Sequence, residues 1–470
     1  MDNRFNGKKL KAFREQKAWN QKDLAHELNL NLNYTDERIT DRDIRRWENE
    51  GVKPRSEVLL GLAMVLECET EDFFEPILSE EKLIQNKNAS YELLEKDLCS
   101  FKSFIKERTR DFEGRQFVFD VIDNFIKHNE CGYFFVLGDP GIGKSAVAAK
   151  LVNERDYIHH FNVRAEGINR AETFLRNICA QLIIRFELPY ESLAHDVGAD
   201  GKFLSKLLEE VGRKLSGKES LVIVVDALDE VDESSGRPGA NLLFLPKNLP
   251  SGIFFVITAR PQSYQLQIEC IQDKFEIQHD KDNNLNDIEK YLEKRVKLEG
   301  IQSYNKKQKL SNQDFVSIMK GKSDGNFMYL RYVLPEIEKG AYKNIDFENI
   351  PVGLQNYYED HWRRMGMMTK PLPELKIQII YILSELHKPI STELLADCCR
   401  QNEVQVQEIV DEWTQFLHRK VIDHKVRYSL YHASFRDFLN RKEIVKAAGI
   451  DIRDINALIS EWLSDGLYDE

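Results

Sequence analysis

The chain has 470 residues, with 66 Lys and Arg against 78 Asp and Glu for a net charge of −12, and 42% of its residues are hydrophobic. Such a length exceeds what one core supports and predicts roughly three domains, while the acidic balance argues against a chain-wide affinity for nucleic acid and leaves it to one module at most. The start, MDNRFNGKKL, lacks the apolar stretch of a signal peptide and no apolar run in the sequence reaches the length of a spanning helix, so a cytoplasmic location without a membrane is expected.

Residues 1–78 read as an all-α module. Leu10 and Phe13, then Leu24, Ala25 and Leu28, then Ile39, Ile44 and Trp47, then Leu59, Leu62, Ala63 and Leu66 recur at helical spacing as one small core. The segment Asn20-Gln21-Lys22-Asp23-Leu24-Ala25, followed by Ile44-Arg45-Arg46-Trp47-Glu48, Pro54 and the run LGLAMVL ending at Leu66, resembles the repressor-type (XRE) helix-turn-helix family. The resemblance implies a recognition helix from Thr40 to Asn49, with Arg42, Arg45 and Arg46 as DNA contacts. The stretch between Leu28 and Ile39 is several residues longer than the family's tight turn, a change expected to shift that helix in a major groove. Residues 7–76 hold twelve Lys and Arg against fifteen Asp and Glu, short of the basic balance of a DNA-binding module. DNA and a protein partner both stay open for it.

Residues 79–110 are mostly charged, with Leu93, Leu94, Leu98, Phe101 and Phe104 spaced as one apolar stripe, which predicts a connecting helix. A nucleotide-binding domain is then expected over 111–278. The run YFFVL at 133–137 reads as a buried strand and SAVAAKLV at 145–152 as a helix. Between them GDPGIGKS at 138–145 fits G-x-x-x-x-G-K-[ST], a P-loop in the context that gives the pattern meaning. Gly138, Gly141 and Gly143 let backbone N–H groups wrap a phosphate at a helix N-terminus. With Asp139, Pro140, Ile142 and Ala146 they form the expected nucleotide-binding set. Lys144 is expected on the β- and γ-phosphates and Ser145 on Mg²⁺. A second apolar strand, LVIVV at 221–225, ends in Asp226-Ala227-Leu228-Asp229-Glu230. Asp226 is expected to hold Mg²⁺ through water, and Asp229 or Glu230 to orient or deprotonate an attacking water, the other being an acid at a helix N-terminus. A third strand at 252–258 leads to Arg260, placed either to touch a γ-phosphate or to form a surface salt bridge. A strand at 275–278 closes the domain.

Residues 279–350 read as a helical bundle, with Leu285, Ile288, Leu292 and Val296 on one helix and GNFMYLRYV at 325–333 entering another. Over 351–440, helices carrying Leu375, Ile379, Ile382 and Leu383, then Leu394, Ile409, Val410 and Trp413, precede two short β-like runs at 420–423 and 426–430 and the segment YHASFRDFL, a pattern that looks like a winged helix. Residues 441–470 read as a short C-terminal helical segment without internal repeat. The expected fold class is therefore multidomain: an all-α helix-turn-helix, an α/β P-loop NTPase with a parallel sheet, a helical bundle and a winged helix. The seven cysteines contain no C-x-x-C, which reads as reduced core thiols.

The order of motifs resembles the NACHT branch of the STAND NTPases, a signalling class that includes animal NLR sensors and bacterial antiviral proteins. GDPGIGKS at 138–145, VVDALDE at 224–230, ITARP at 257–261 and HASFRDFL at 432–439 carry the likeness. It implies that Gly114 and Arg115 approach the adenosine, that Arg260 senses the γ-phosphate, and that His432 holds the β-phosphate of ADP in a closed state; the other reading of His432 is a satisfied core histidine. The family's Gly-x-Pro signature is not evident, Gly325-Asn326-Phe327 standing in its place. The resemblance further implies an ATP/ADP-dependent switch and slow Mg²⁺-dependent ATPase that self-associates when a ligand or protein triggers it, in bacterial antiviral defence or signal transduction. The alternative is an ATP-gated, sequence-specific transcription regulator. The family's usual repeat array would come after the winged helix, where this chain has only residues 441–470.

Overall fold

A computed structural model describes residues 3–33, 38–76, 92–217, 219–237, 239–261, 266–340, 349–386 and 388–466. The chain divides into two compact units, Met1–Tyr91 and Glu92–Glu470.

In the first unit, α1 (Gly7–Gln16), α2 (Gln21–Asn31), α3 (Asp41–Glu50) and α4 (Ser56–Leu66) close over Leu10, Leu24, Leu28, Ile44 and Leu62, and a short antiparallel pair, β1 (Asn3–Phe5) and β2 (Phe74–Pro76), brings the ends together. Asn20 and Thr40 start α2 and α3 with reciprocal caps to Asp23 and Asp43. The long connection between these helices is recaptured by one side chain. Asn29 Nδ2 donates to the Ile39 carbonyl at 2.8 Å and Asn29 Oδ1 accepts from the Ile39 N–H at 3.1 Å. Ile39 is thereby held in the core and α3 starts one residue beyond Thr40, whatever the four residues at 34–37, outside the described ones, do. A buried bidentate pair, Arg14 to Glu48 at 2.6 and 3.1 Å, ties α1 to α3, with Gln21 donating to the same carboxylate. The start of α1 lies so close to α3 that a Cβ at Gly7 would meet the Trp47 carbonyl oxygen at 2.1 Å.

The second unit is built on a five-stranded parallel sheet. Ahead of it run α5 (Lys102–Thr109) and α6 (Gln116–His128); the strands are β3 (Gly132–Gly138), β4 (Ile158–Phe161), β5 (Leu221–Asp226), β6 (Ile253–Ala259) and β7 (Gln272–Ile277), in the order β4-β5-β6-β3-β7. Side chains alternate across it. Ile223, Val225, Phe255 and Ile257 pack under α8 (Ala171–Arg185) and α9 (Lys202–Lys214), while Val222, Val224, Phe254 and Val256 pack under α6 and α7 (Lys144–Arg155). Burial on both faces is why β5 and β6 read as unbroken apolar runs.

One strand gives no signal in the sequence, and one expectation fails here. The strand β4, with the sequence IHHF, carries too little apolar pattern to be recognised, because one of its buried residues is His160. Burial pushes that imidazole down to about 3, and Asn177 sits 3.1 Å from its Nδ1. The connecting helix expected over 79–110 is not one helix in its described part, residues 79–91 lying outside the described ones. A short helical turn at 92–95 sends Leu94 into the core on one face of the sheet, the Cys99 N–H is pinned by Asn177 Oδ1 at 2.9 Å, and Phe101 enters the core on the other face. The apolar stripe serves two cores across the β4 edge.

Beyond the sheet come α10 (Asp282–Arg295), α11 (Glu299–Gln308), α12 (Asn312–Lys322), α13 (Phe327–Lys339) and α14 (Gly353–Arg364). Then α15 (Glu374–Glu385), α16 (Thr392–Cys399) and α17 (Glu403–Glu412) lead into an antiparallel hairpin, β8 (Leu417–Ile422) and β9 (Lys425–Leu430), to which Ile390 adds a bridge at Tyr428. The chain closes with α18 (Ala433–Leu439), α19 (Lys442–Ala448) and α20 (Ile452–Gly466). One apolar cluster runs from Ile288 to Ile459, crossing the expected boundaries at 350 and 440. Its centre is aromatic: Tyr332, Tyr357, Tyr358, Phe416 and Phe435 meet there, with the Phe416 and Phe435 rings stacked at 4.3 Å. Among the described residues no helix is long and apolar enough to cross a membrane.

Candidate functional site

The sheet order creates the crevice. From β3 the chain crosses to the far edge at β4, whereas β7 lies on the other side of β3, so the strand order reverses at β3 and a gap opens beyond the C-terminal strand ends. Gly138, Asp226 and Arg260 all lie at those ends.

Gly141 and Gly143 take φ of 84° and 109°, in the left-handed region where a side chain is strained, and α7 begins at Lys144. The unpaired N–H groups of that first turn face the loop. The loop is braced from outside by the start of α13: Asn326 Nδ2 donates to the Pro140 carbonyl at 3.0 Å, the Met328 N–H donates to Gly141 at 3.1 Å, and a Cβ at Gly141 would meet Asn326 Oδ1 at 2.6 Å. It is braced from behind by Arg115, whose guanidinium, in a residue only 3% exposed, donates to the Ile142 carbonyl at 2.5 Å and lies 4.8 Å from the Phe327 ring. The Arg115 N–H donates to Asp287 Oδ2 at 2.7 Å, and Gly114 packs on the same carboxylate. Gly114 and Arg115 thus brace the loop from behind.

Lys144 Nζ donates to the carbonyls of Gly138 and Asp139 at 2.7 and 3.1 Å. Asp226 is 1% exposed; it accepts from the Thr258 hydroxyl, and burial pushes its carboxyl up while the Thr258 and Ser145 hydroxyls act the other way. Ala227, at φ 54°, turns the chain sharply after it and donates its N–H to Thr258 Oγ1 at 2.9 Å. Asp229 and Glu230 are sorted by their partners. Asp229 Oδ2 is 2.7 Å from Arg260 Nε. Glu230 Oε2 accepts from the Arg164 N–H at 3.0 Å, and burial, with Asp229 and Asp226 adding to it, pushes its carboxyl up to about 7. The Arg260 side chain is 21% exposed and also reaches Asp437 of α18 at 2.8 Å.

His432 caps α18. Its Nδ1 accepts from the Ser434 N–H at 3.1 Å and lies 2.7 Å from Ser434 Oγ. Burial and the cations Arg108, Lys144, Arg260 and Arg331 push the imidazole well below its ordinary value, so it is neutral and, with Nδ1 accepting, carries its proton on Nε2. The cavity wall that faces the loop is completed by Tyr431, His432 and Arg436. Three cations here escaped sequence reasoning. Arg108 and Arg331 each place their guanidinium carbon 5.1 Å from the Tyr431 ring, one on α5 and one on α13, and Arg436 aims an Nη2 that has no hydrogen-bond partner among the described residues. Arg436 was visible inside HASFRDFL; Arg108 and Arg331 had no local signal, since only packing turns them inward. Arg42, Arg45 and Arg46 belong to the other unit. They lie exposed along α3, with Arg45 3.8 Å from Asp41 and Arg46 3.5 Å from Glu50.

A glycine loop between an interior strand of a parallel sheet and a helix, with Ser145 in the first turn of that helix and a buried aspartate at the tip of β5, defines a P-loop nucleoside-triphosphatase domain. Within it, residues 116–260 match the family model of the nephrocystin 3 N-terminal region. That span begins with α6 and ends on Arg260, so it holds the loop, Asp226, Asp229 and Glu230, and it reaches neither residues 1–78 nor the helices after β7. No curated protein matches the chain. Among solved structures, a STAND (signal transduction ATPase with numerous domains) protein with a tetratricopeptide repeat sensor from Pyrococcus horikoshii is 14% identical at a TM-score of 0.38, over 72% of this chain and 44% of that one. The RuvB Holliday junction branch migration motor of Thermotoga maritima is 10% identical at a TM-score of 0.27, over 70% of this chain and 96% of that one. Scores so far below 0.5 give no ground for a shared fold, and this chain spans less than half the length of the first protein.

Proposed function

We propose that the chain is an ATP/ADP-dependent switch of the STAND type, a slow Mg²⁺-dependent ATPase that self-associates on activation. The observation that carries this reading is that Arg260, at the tip of β6, is bonded at once to Asp229 of the P-loop domain and to Asp437 of the C-terminal helices, with neutral His432 beside it. A cavity closed by both parts, and lined by several arginines around a neutral imidazole, suits a polyanion whose length decides how the two parts stay together.

The residues fit a magnesium nucleotide. The loop from Gly138 to Gly143, with the first turn from Lys144 to Ala146, supplies the N–H cradle; Ser145 and Asp226, which line the same cavity, would hold Mg²⁺, which when bound neutralises phosphate charge. Lys144 would leave the loop carbonyls for the β- and γ-phosphates. Glu230, with its carboxyl near 7, is poised as the base that takes a proton from water, and Asp229 positions Arg260. His432 Nε2–H would donate to the β-phosphate of ADP. The α15–α17 and hairpin order supports a winged helix at 351–440, and the α2–α3 geometry supports a helix-turn-helix at 1–78. The motif set supports a cytoplasmic role in bacterial defence or signal transduction, with an outside ligand or protein as trigger.

Titration of the full chain with ADP and ATP tests the reading: submicromolar to micromolar binding is expected, lost in Lys144→Ala. The exposed arginines of α3 favour a second reading, in which the switch gates a sequence-specific transcription regulator. Steeply salt-dependent duplex binding by the full chain, lost when Arg42, Arg45 and Arg46 are all replaced by Ala, supports that reading; a protein adaptor gives no such slope.

A further inference from the structure

Arg260 is shared by two carboxylates of different standing. Asp229, with a side chain 9% exposed, follows β5 directly and meets Nε at 2.7 Å; Asp437, with a side chain 44% exposed, comes from α18 and meets Nη1 at 2.8 Å. The first contact lies within the P-loop domain. The second joins that domain to the C-terminal helices through Arg260, which lines the cavity with Lys144, His432 and Arg436.

We propose that Asp437 sets the preference between ADP and ATP, as an internal anion that holds Arg260 until a γ-phosphate takes its place. The inference rests on the nucleotide-switch reading and names its regulation. The Asp437 contact is the more solvent-exposed of the two, so water and salt reach it and a competing anion can displace it. A phosphoryl group, with more charge and three acceptor oxygens, competes well for an arginine held that way. ADP ends at the β-phosphate and leaves the Arg260–Asp437 pair in place, so α18 stays docked with His432 against the loop. A triphosphate competes for Nη1, and whatever it gains there is lost to the docking of α18. By reciprocity, Asp437 lowers the affinity of the closed arrangement for ATP by the factor with which ATP loosens it.

The test is calorimetric titration of the full chain and of Asp437→Asn, with Mg²⁺, using ADP and a non-hydrolysable ATP analogue. Asparagine keeps the size and the helix position and removes the charge. The analogue is expected to bind the variant about ten-fold more tightly, the scale of one charge-assisted bond, with ADP within about three-fold of the unsubstituted chain. Asp437→Glu is expected to restore the original ratio, and Arg260→Ala to make the ratio indifferent to Asp437→Asn. An unchanged ratio in Asp437→Asn overturns the inference, as does an equal change in the Arg260→Ala background, which would place the effect elsewhere. Failure of the unsubstituted chain to bind either nucleotide contradicts the switch reading itself.

Discussion

Three carboxylates within five residues of one another sit at the end of β5, and their surroundings give each a different chemistry. Asp226 is buried against the Thr258 hydroxyl, Asp229 is engaged by Arg260, and Glu230 accepts the Arg164 N–H and has a carboxyl pushed up to about 7, burial being the largest cause. A base must be deprotonated to accept a proton, so the single-turnover rate should rise from about pH 6 to a plateau near pH 8 as Glu230 loses its proton. Glu230→Gln should lower that rate about 100-fold and flatten the profile while leaving binding of an ATP analogue unchanged. Rapid-quench measurements across this range check both, and an unaltered profile in the variant would return the role to Asp229. The sequence left these two acids unresolved because their spacing is the same for either role; only the Arg260 contact and the burial of Glu230 distinguish them.

Among the elements, α18 carries the most telling ambiguity, because His432 is both its cap and part of the cavity wall. His432→Ala should lose a cap worth about 1 kcal/mol as well as any phosphate contact. His432→Asn keeps the cap acceptor and lacks Nε2–H, so it should release ADP as fast as the alanine variant in stopped-flow displacement. ADP retention at the original rate in His432→Asn would reduce the histidine to a cap. In the first unit, Glu48→Ala leaves Arg14 buried without its carboxylate and should destabilise that unit by about 3 kcal/mol; ADP affinity should not change, since the two units have separate cores. Calorimetric melting with and without ADP reads both. The elements legible in the sequence were those with unbroken apolar runs, β3, β5 and β6, together with the loop at 138–145. The strand IHHF was hidden by its histidines, and the stripe from Leu93 to Phe104 looked like one helix because two cores happened to draw on it in turn.

At the scale of the molecule, the helices from α10 to α20 share one core and meet the P-loop domain at the cavity lined by Lys144, Arg260 and His432, so they are expected to move as a block if the contacts of Arg260 and His432 are exchanged for phosphate. A sequence read segment by segment divides this block at 350 and 440, since the aromatic cluster that unites it is assembled from residues far apart in the chain. The central claim is that the third phosphate separates the block from the P-loop domain and exposes an associating face. Its most direct test is the mass of the full chain by light scattering, with Mg²⁺ and either ADP or a non-hydrolysable ATP analogue, alongside Lys144→Ala. The account predicts a small species with ADP, a defined larger assembly with the analogue, and no nucleotide-dependent change in Lys144→Ala; the same mass with both nucleotides, under conditions where both are shown to be bound, would contradict it.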